Sequence, residues 1–146
     1  MRDIKFRAWD KDNFEMFTYD NIGDVIFGLE NDGSVSLFIC DSEESLNVEI
    51  MQFTGLQDKN GVDIYEGDIV KSVSEIIKPF ESRVNQRTGR MSTKYHSIEY
   101  RNNSASFCIA ESPLSSISQN IASKYYEVIG NIHQNPELLE QDNATS

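Results

Sequence analysis

Apolar and polar residues alternate at the start of the chain: Ile4, Phe6 and Ala8 share one parity, Lys5, Arg7 and Trp9 the other. That is the period of a strand with one buried face. Asp10 to Asn13 reads as a polar turn, and Phe14, Met16 and Thr18 resume the alternation, so residues 3–19 are expected to form a hairpin. Two short apolar runs flank Asn31-Asp32-Gly33, where Asp-Gly supplies the positive φ angles of a close turn, and strands are expected at 24–28 and 34–40. Over 46–53, LNVEIMQF alternates again, with Leu46, Val48 and Ile50 on one face and Met51 and Phe53 on the other.

Turn chemistry is densest between residues 51 and 70. Gly55 and the tetrapeptide Asp58-Lys59-Asn60-Gly61 are expected to reverse the chain, and Glu66-Gly67-Asp68 to bend it again before IVKSVSEII. Residues 80–93 hold few apolar groups around Thr88-Gly89 and read as an exposed, mobile hairpin tip or inserted loop. Strands follow at 95–100 and 106–111, joined by Arg101-Asn102-Asn103. Leu114, Ile117 and Ile121 have helical spacing behind Ser112-Pro113, a capping residue and a first helical residue. YYEVIGNIH (125–133) is the last expected strand, Asn135-Pro136-Glu137 starts a short helical turn carrying Leu138 and Leu139, and 140–146 is a disordered tail.

A length of 146 residues suits one core of ordinary size or two small lobes, not two full domains. No window approaches the roughly 18 apolar residues of a membrane span, and the N-terminus lacks the apolar core of a secretory signal. A cytoplasmic protein with no membrane partner is expected. Cys40 and Cys108 lie in apolar runs without metal or redox spacing, as reduced, buried thiols would. The net charge of −11 opposes approach to a polyphosphate, yet residues 71–101 gather seven basic side chains against three acidic ones, a local +4.

Candidate chemistry is sparse. Asp58, Asn60 and Asp63 suggest a calcium loop, but glycine comes fourth instead of sixth and the bidentate Glu is missing, so turn chemistry accounts for them better. Glu66 and Asp68 could pair as acid and base if extended, although Gly67 between them favours a bend. His96 and His133 have no zinc spacing, and neither a nucleophile elbow nor a phosphate loop is present. The expectation is a protein that is not an enzyme, with no catalytic, cofactor or metal residues. Trp9, beside Lys5 and Arg7, could stack on a base or anchor a partner, but burial is the expected fate of so large a ring. Lys78, Arg83, Arg87, Arg90, Lys94, Tyr95 and Arg101 are the candidate contacts to nucleic acid or to a partner, since cations interleaved with aromatics suit a single-strand groove.

Three blocks, IKFRAWD (4–10), MQFTGLQDKNGVDIYEGDIV (51–70) and YEVIGNIHQNPELL (126–139), stand in one order along the chain. Together they resemble the YopX family of bacteriophage and prophage proteins. The resemblance implies a β-rich phage or prophage protein of the bacterial cytoplasm and carries over no catalytic residue set. Within the blocks, Trp9, Gly55, Asn60, Gly61, Tyr65, Gly67, Asp68, Gly130, Asn131 and Pro136 stand as structural signature residues.

The expected fold is mostly β with minor α: N-terminal β-hairpins packed on a small, strongly bent β-sheet or SH3-like barrel, with a short C-terminal helical turn. The chain is read as one unit over 1–146, with sub-lobes at 1–50 and 51–139. The leading functional expectation is a non-enzymatic accessory protein that binds a host or phage protein. Two alternatives stand beside it, nucleic-acid binding through 78–101 and an enzyme with an unrecognised site. Edge strands leave homo-oligomerisation open.

Overall fold

The computed structural model describes residues 3–18, 23, 25–39, 46–73, 93–109, 112–113 and 119–140. Among these the chain is mostly strand: β1 (Phe6–Asp10), β2 (Glu15–Phe17), β3 (Val25–Leu29), β4 (Val35–Ile39), β5 (Val48–Gln57), β6 (Asp63–Tyr65), β7 (Asp68–Val73), β8 (Thr93–Arg101), β9 (Ser106–Ile109), β10 (Ser112–Pro113) and β11 (Tyr126–Asn131). Two short helices complete it, α1 (Gln119–Tyr125) and α2 (Glu137–Glu140). The expected class, mostly β with minor α, is the one observed. The loop expected at 80–93, the helical positions Leu114 and Ile117, Cys40 and residues 141–146 lie outside the described residues, except that Thr93 opens β8.

Both glycine-tipped hairpins are built alike. Gly33 N donates to Glu30 O (2.9 Å) and Glu30 N to Ser34 O (2.8 Å); Gly61 N donates to Asp58 O (3.1 Å) and Asp58 N to Val62 O (2.9 Å). This is a three-residue loop, a tight turn closed by one left-handed residue. Glycine fills that place with φ of +85° at Gly33 and +79° at Gly61. The pair of positive angles expected at Asp32-Gly33 is thus corrected to one. Asp32 contributes its carboxylate instead, with Oδ1 accepting Ser34 N (2.9 Å) and Ser34 Oγ (2.6 Å).

By its internal contacts the chain divides into units Met1–Gly55 and Leu56–Ser146. In the first, β1 lies between β2 and β5, both antiparallel to it, with Trp9 opposite Met16 on one side and Glu49 on the other. β1 is paired along both edges, and Ala8, Trp9 and Asp10 are all buried, where simple alternation predicts one buried parity. Ile4, expected on the buried face, precedes the strand and is 70% exposed. Phe14, expected inside the second strand, occupies the turn with φ of +58° and is 75% exposed, its ring edge-on to Trp9 at 6.5 Å. Gly55, expected to help reverse the chain, has φ of +89° inside β5, which runs on to Gln57. A glycine there lets the ladder bend, and the sheet of order β2-β1-β5-β6 is strongly curled.

In the second unit five strands run in the order β10-β9-β8-β7-β11. Val70, Ile98, Phe107, Ile109 and Tyr126 project from it onto one core with Ile64 and Ala122. Ile98 faces Ile109 across β8 and β9, and the Tyr100 and Phe107 rings meet edge to face at 5.2 Å. Ser112 and Pro113, expected to cap a helix, instead pair with Ile109 and Cys108; an edge strand tolerates proline because no neighbour needs its N–H. The helix that does form starts at Gln119. The register of β11 on β7 slips by one residue between Val128 and Gly130. Gly130 sits there against Asn135, whose side chain lies within 3.0 Å of the place a Cβ would take.

Gly130→Ala should therefore lower stability by about 1–3 kcal/mol, as other overpacked sites do. Asn135→Gly in the same chain should restore most of the loss in a urea titration. A glycine at 130 that was merely permissive would give no recovery.

Candidate functional site

Of the candidate contacts, Lys78, Arg83, Arg87 and Arg90 lie outside the described residues, while Lys94, Tyr95 and Arg101 stand on β8. Strand alternation places Lys94 on the face that carries Ile98, and Tyr95 and Arg101 on the opposite one. On that second face Tyr95 pairs across to Lys71, and Lys71 to Glu127. Lys59 Nζ reaches Glu127 Oε2 at 2.7 Å, and Arg101 Nε lies 3.9 Å from Glu99 Oε2. The hydrogen bond from Lys59 holds the Glu127 carboxyl below its ordinary range, helped by the charges of Lys59 and Lys71. The described cations are thus interleaved with carboxylates and form no one-sign groove.

The signature residues do different work. Asp58 is buried, and its carboxylate accepts three backbone N–H groups: Asn60 (2.7 Å) and Val62 (3.0 Å) on Oδ1, Val128 (2.9 Å) on Oδ2. Beside it Lys59 N donates to Tyr126 O (2.9 Å). The hairpin tip so takes up backbone groups on the outer edge of β11, which would otherwise invite pairing. Asp68 is also buried and accepts Tyr65 N (2.7 Å). Gly67, with φ of +77°, donates to Ile98 O and accepts from Ile132 N. Asn131 Oδ1 accepts His133 N and Gln134 N, its Nδ2 donates to Gln134 Oε1 (2.6 Å), and Pro136 O accepts Leu139 N. Asp10 does the same for the first turn, accepting Asp12 N (2.8 Å), Asn13 N (3.0 Å) and Asn13 Nδ2 (2.9 Å).

These bonds bear on the chemistry weighed in sequence. Both Asp58 oxygens face N–H donors and Asp63 Oδ1 accepts Gln57 Nε2, an arrangement for a turn and not for a cation. Among the described residues no three His, Cys, Asp or Glu side chains are placed to hold a metal. Gly67 breaks the extended backbone between Glu66 and Asp68, so the two do not share a strand face. Trp9 is buried; Lys5 Nζ lies 4.9 Å over the Phe53 ring and Arg7 Nη2 donates to Met51 Sδ, so the stacking platform of Trp9 with two cations is not assembled.

What the sequence pattern missed is the exposure of several large apolar side chains. In the first unit Ile4, Phe14, Ile26 and Leu29 are 70%, 75%, 52% and 78% exposed. The two-stranded sheet β3-β4 also leaves one edge of β3 without a strand among the described residues. A short apolar run such as VIFGL gives no periodic sign of which side faces water.

A family model described as YopX protein matches residues 5–140. Among solved structures, protein EF1440 from Enterococcus faecalis is similar at 34% identity and a TM-score of 0.55, over 95% of this chain and 99% of that one. Protein yopX from Bacillus subtilis has the same fold at 20% identity and a TM-score of 0.55, over 95% and 97% of the two chains. No curated protein matches the chain. No helix among the described residues is long and apolar enough to cross a membrane.

Asp58→Ala should cost about 2–4 kcal/mol, because hydrogen bonds to a charged acceptor are lost and buried donors are left behind. The urea midpoint should fall, with a smaller drop for Asp58→Asn, which keeps one acceptor. The Asp10 carboxyl is held below its ordinary value of 3.8, first by the Asn13 side chain and then by backbone N–H groups, with burial opposing. A carboxyl lowered on folding contributes fully above the unfolded value and loses that contribution as pH falls through the folded one. Asp10→Asn should accordingly flatten the decline in stability below about pH 4 and leave its slope at neutral pH unchanged.

Proposed function

We propose that this chain, which belongs to the YopX protein family, is a non-enzymatic phage or prophage accessory protein that binds a host or phage protein in the bacterial cytoplasm. The observation that carries this is the set of large apolar side chains left in solvent on the first unit, Ile4, Phe14, Ile26 and Leu29. Scattered apolar residues are ordinary on any surface, but four large ones on a 55-residue unit, two of them on a strand with one edge that no described strand covers, are the raw material of an interface. The buried carboxylates and amide that a catalytic reading would recruit, Asp58, Asp68 and Asn131, are engaged with backbone groups of their own turns. The net charge of −11 favours a basic partner surface, including one that otherwise meets nucleic acid.

A second reading keeps its support from composition alone: the +4 of residues 71–101 suits nucleic acid. A mobility-shift assay at about 50 mM salt separates the two, since binding through that segment must weaken with salt and with charge reversal at Arg83, Arg87 and Arg90.

The test of the leading reading is capture from host lysate at low and at physiological salt. One specific protein should be retained, and Phe14→Glu or Ile26→Glu should lower its retention by tenfold or more, about 1.4 kcal/mol, without shifting the melting temperature. Retention of nothing specific at either salt would sink the proposal.

A further inference from the structure

We infer that the edge of β3 that no described strand covers takes an extended peptide strand from the partner, apolar at alternate positions and bearing a lysine or arginine at the end that meets Glu30 and Asp32. The inference rests on the protein-binding reading above and names the segment that binds.

Backbone geometry fixes which groups are on offer. Glu30 N is bonded to Ser34 O, so residues 30 and 34 form a hydrogen-bonded pair. In an antiparallel ladder such pairs alternate with open ones. Gly28 and Ile26, opposite Ser36 and Phe38, therefore spend their backbone groups on β4, while Phe27 and Leu29 turn theirs to the outer edge. Edge strands are commonly guarded by charge, proline or a bulge; β3, with the sequence VIFGL and an unbroken register, has none of these. The far edge of β4 differs, because Leu37 O accepts Leu46 N (3.0 Å). A two-stranded sheet is marginal by itself, and a third strand is the addition that stabilises it.

Side chains add selectivity. One face of the hairpin is seated: Leu37 is buried, and the Phe27 ring opposite it lies 6.3 Å from that of Phe6. On the other face Ile26 is half exposed, and the Phe38 ring covers Gly28, passing 2.7 Å from the place of a Cβ. Alternate apolar residues of an added strand would extend that floor.

Charge excludes the simplest occupant, a second copy. In sequence β3 is preceded by Asp24 and followed by Glu30 and Asp32, so pairing with itself sets carboxylates against carboxylates. Hydrogen bonds from Ser34 keep Asp32 ionised, its carboxyl lying below the ordinary range. A strand with a basic end meets the opposite sign.

The probe is a display library of random ten-residue peptides panned on the full chain. Enriched peptides should alternate apolar residues and carry lysine or arginine at one end. Leu29→Pro removes one outward N–H and no β3–β4 bond, and should weaken them roughly tenfold. Glu30→Lys should abolish the preference for a basic end. The amides of Phe27 and Leu29 should exchange quickly in the free chain and slow when peptide is added, while those of Ile26 and Gly28 are protected throughout. Should Leu29→Pro fail to fold, Leu29→Lys, which repels a basic strand, takes its place. Peptides that bind the Leu29 variants as well as the native chain overturn the inference, and so does a library that yields none. Peptides lost on Phe14→Glu instead would leave the protein-binding reading standing and remove strand addition alone.

Discussion

One carboxylate organises the second unit. Asp58 closes its own hairpin loop through two N–H groups and reaches a third on Val128, so the same side chain sets the turn and pins the last strand. The cost of burying it is met because the oxygens accept charge-assisted bonds, which outweigh neutral ones. Around this point the other constraints fall into line. Lys59 adds the neighbouring bond to Tyr126, the bulge at Gly130 follows one step on, and Asn131 then terminates the strand by turning its amide onto His133 and Gln134.

Gly67 and Asp68 repeat the logic on a smaller scale. The glycine reverses direction at a buried site where its amide and carbonyl link Ile98 to Ile132, and Asp68 holds Tyr65 at the start of the bend. Short polar side chains bonded to backbone recur at Asp10, Asp32, Asp58, Asp68 and Asn131. A chain whose strands are mostly three to six residues long has many ends to satisfy, and these side chains satisfy them.

Legibility in the sequence followed the range of the interaction. Asn60-Gly61 and Asp32-Gly33 announced their hairpins because turn chemistry is local, and Asn135-Pro136-Glu137 announced α2 for the same reason. Pro113 misled because its fixed φ suits a helix start and an edge strand equally; only the partner, Cys108, decides. Phe14 looked like a strand residue by parity, yet the bond from its N–H to Asp10 O draws it into the turn and out to solvent. As for the candidate site, the parity separating Lys94 from Tyr95 was there to be read, whereas the carboxylates facing the cations were not, since Glu127 meets Lys71 through strand pairing and Lys59 through the hairpin tip docked on β11. The exposed apolar side chains of the first unit left no mark, because exposure is a property of neighbours and not of a run of apolar letters.

The bond between Asp58 and Val128 joins residues 70 positions apart. During synthesis at about 5–20 residues per second, the hairpin that carries Asp58 emerges several seconds before the strand it secures. Until then its carboxylate is solvated, and the side of β7 that will receive β11 is open. The second unit can complete its sheet only once β11 has been made, which places its most vulnerable interval between the emergence of β7 and that of β11.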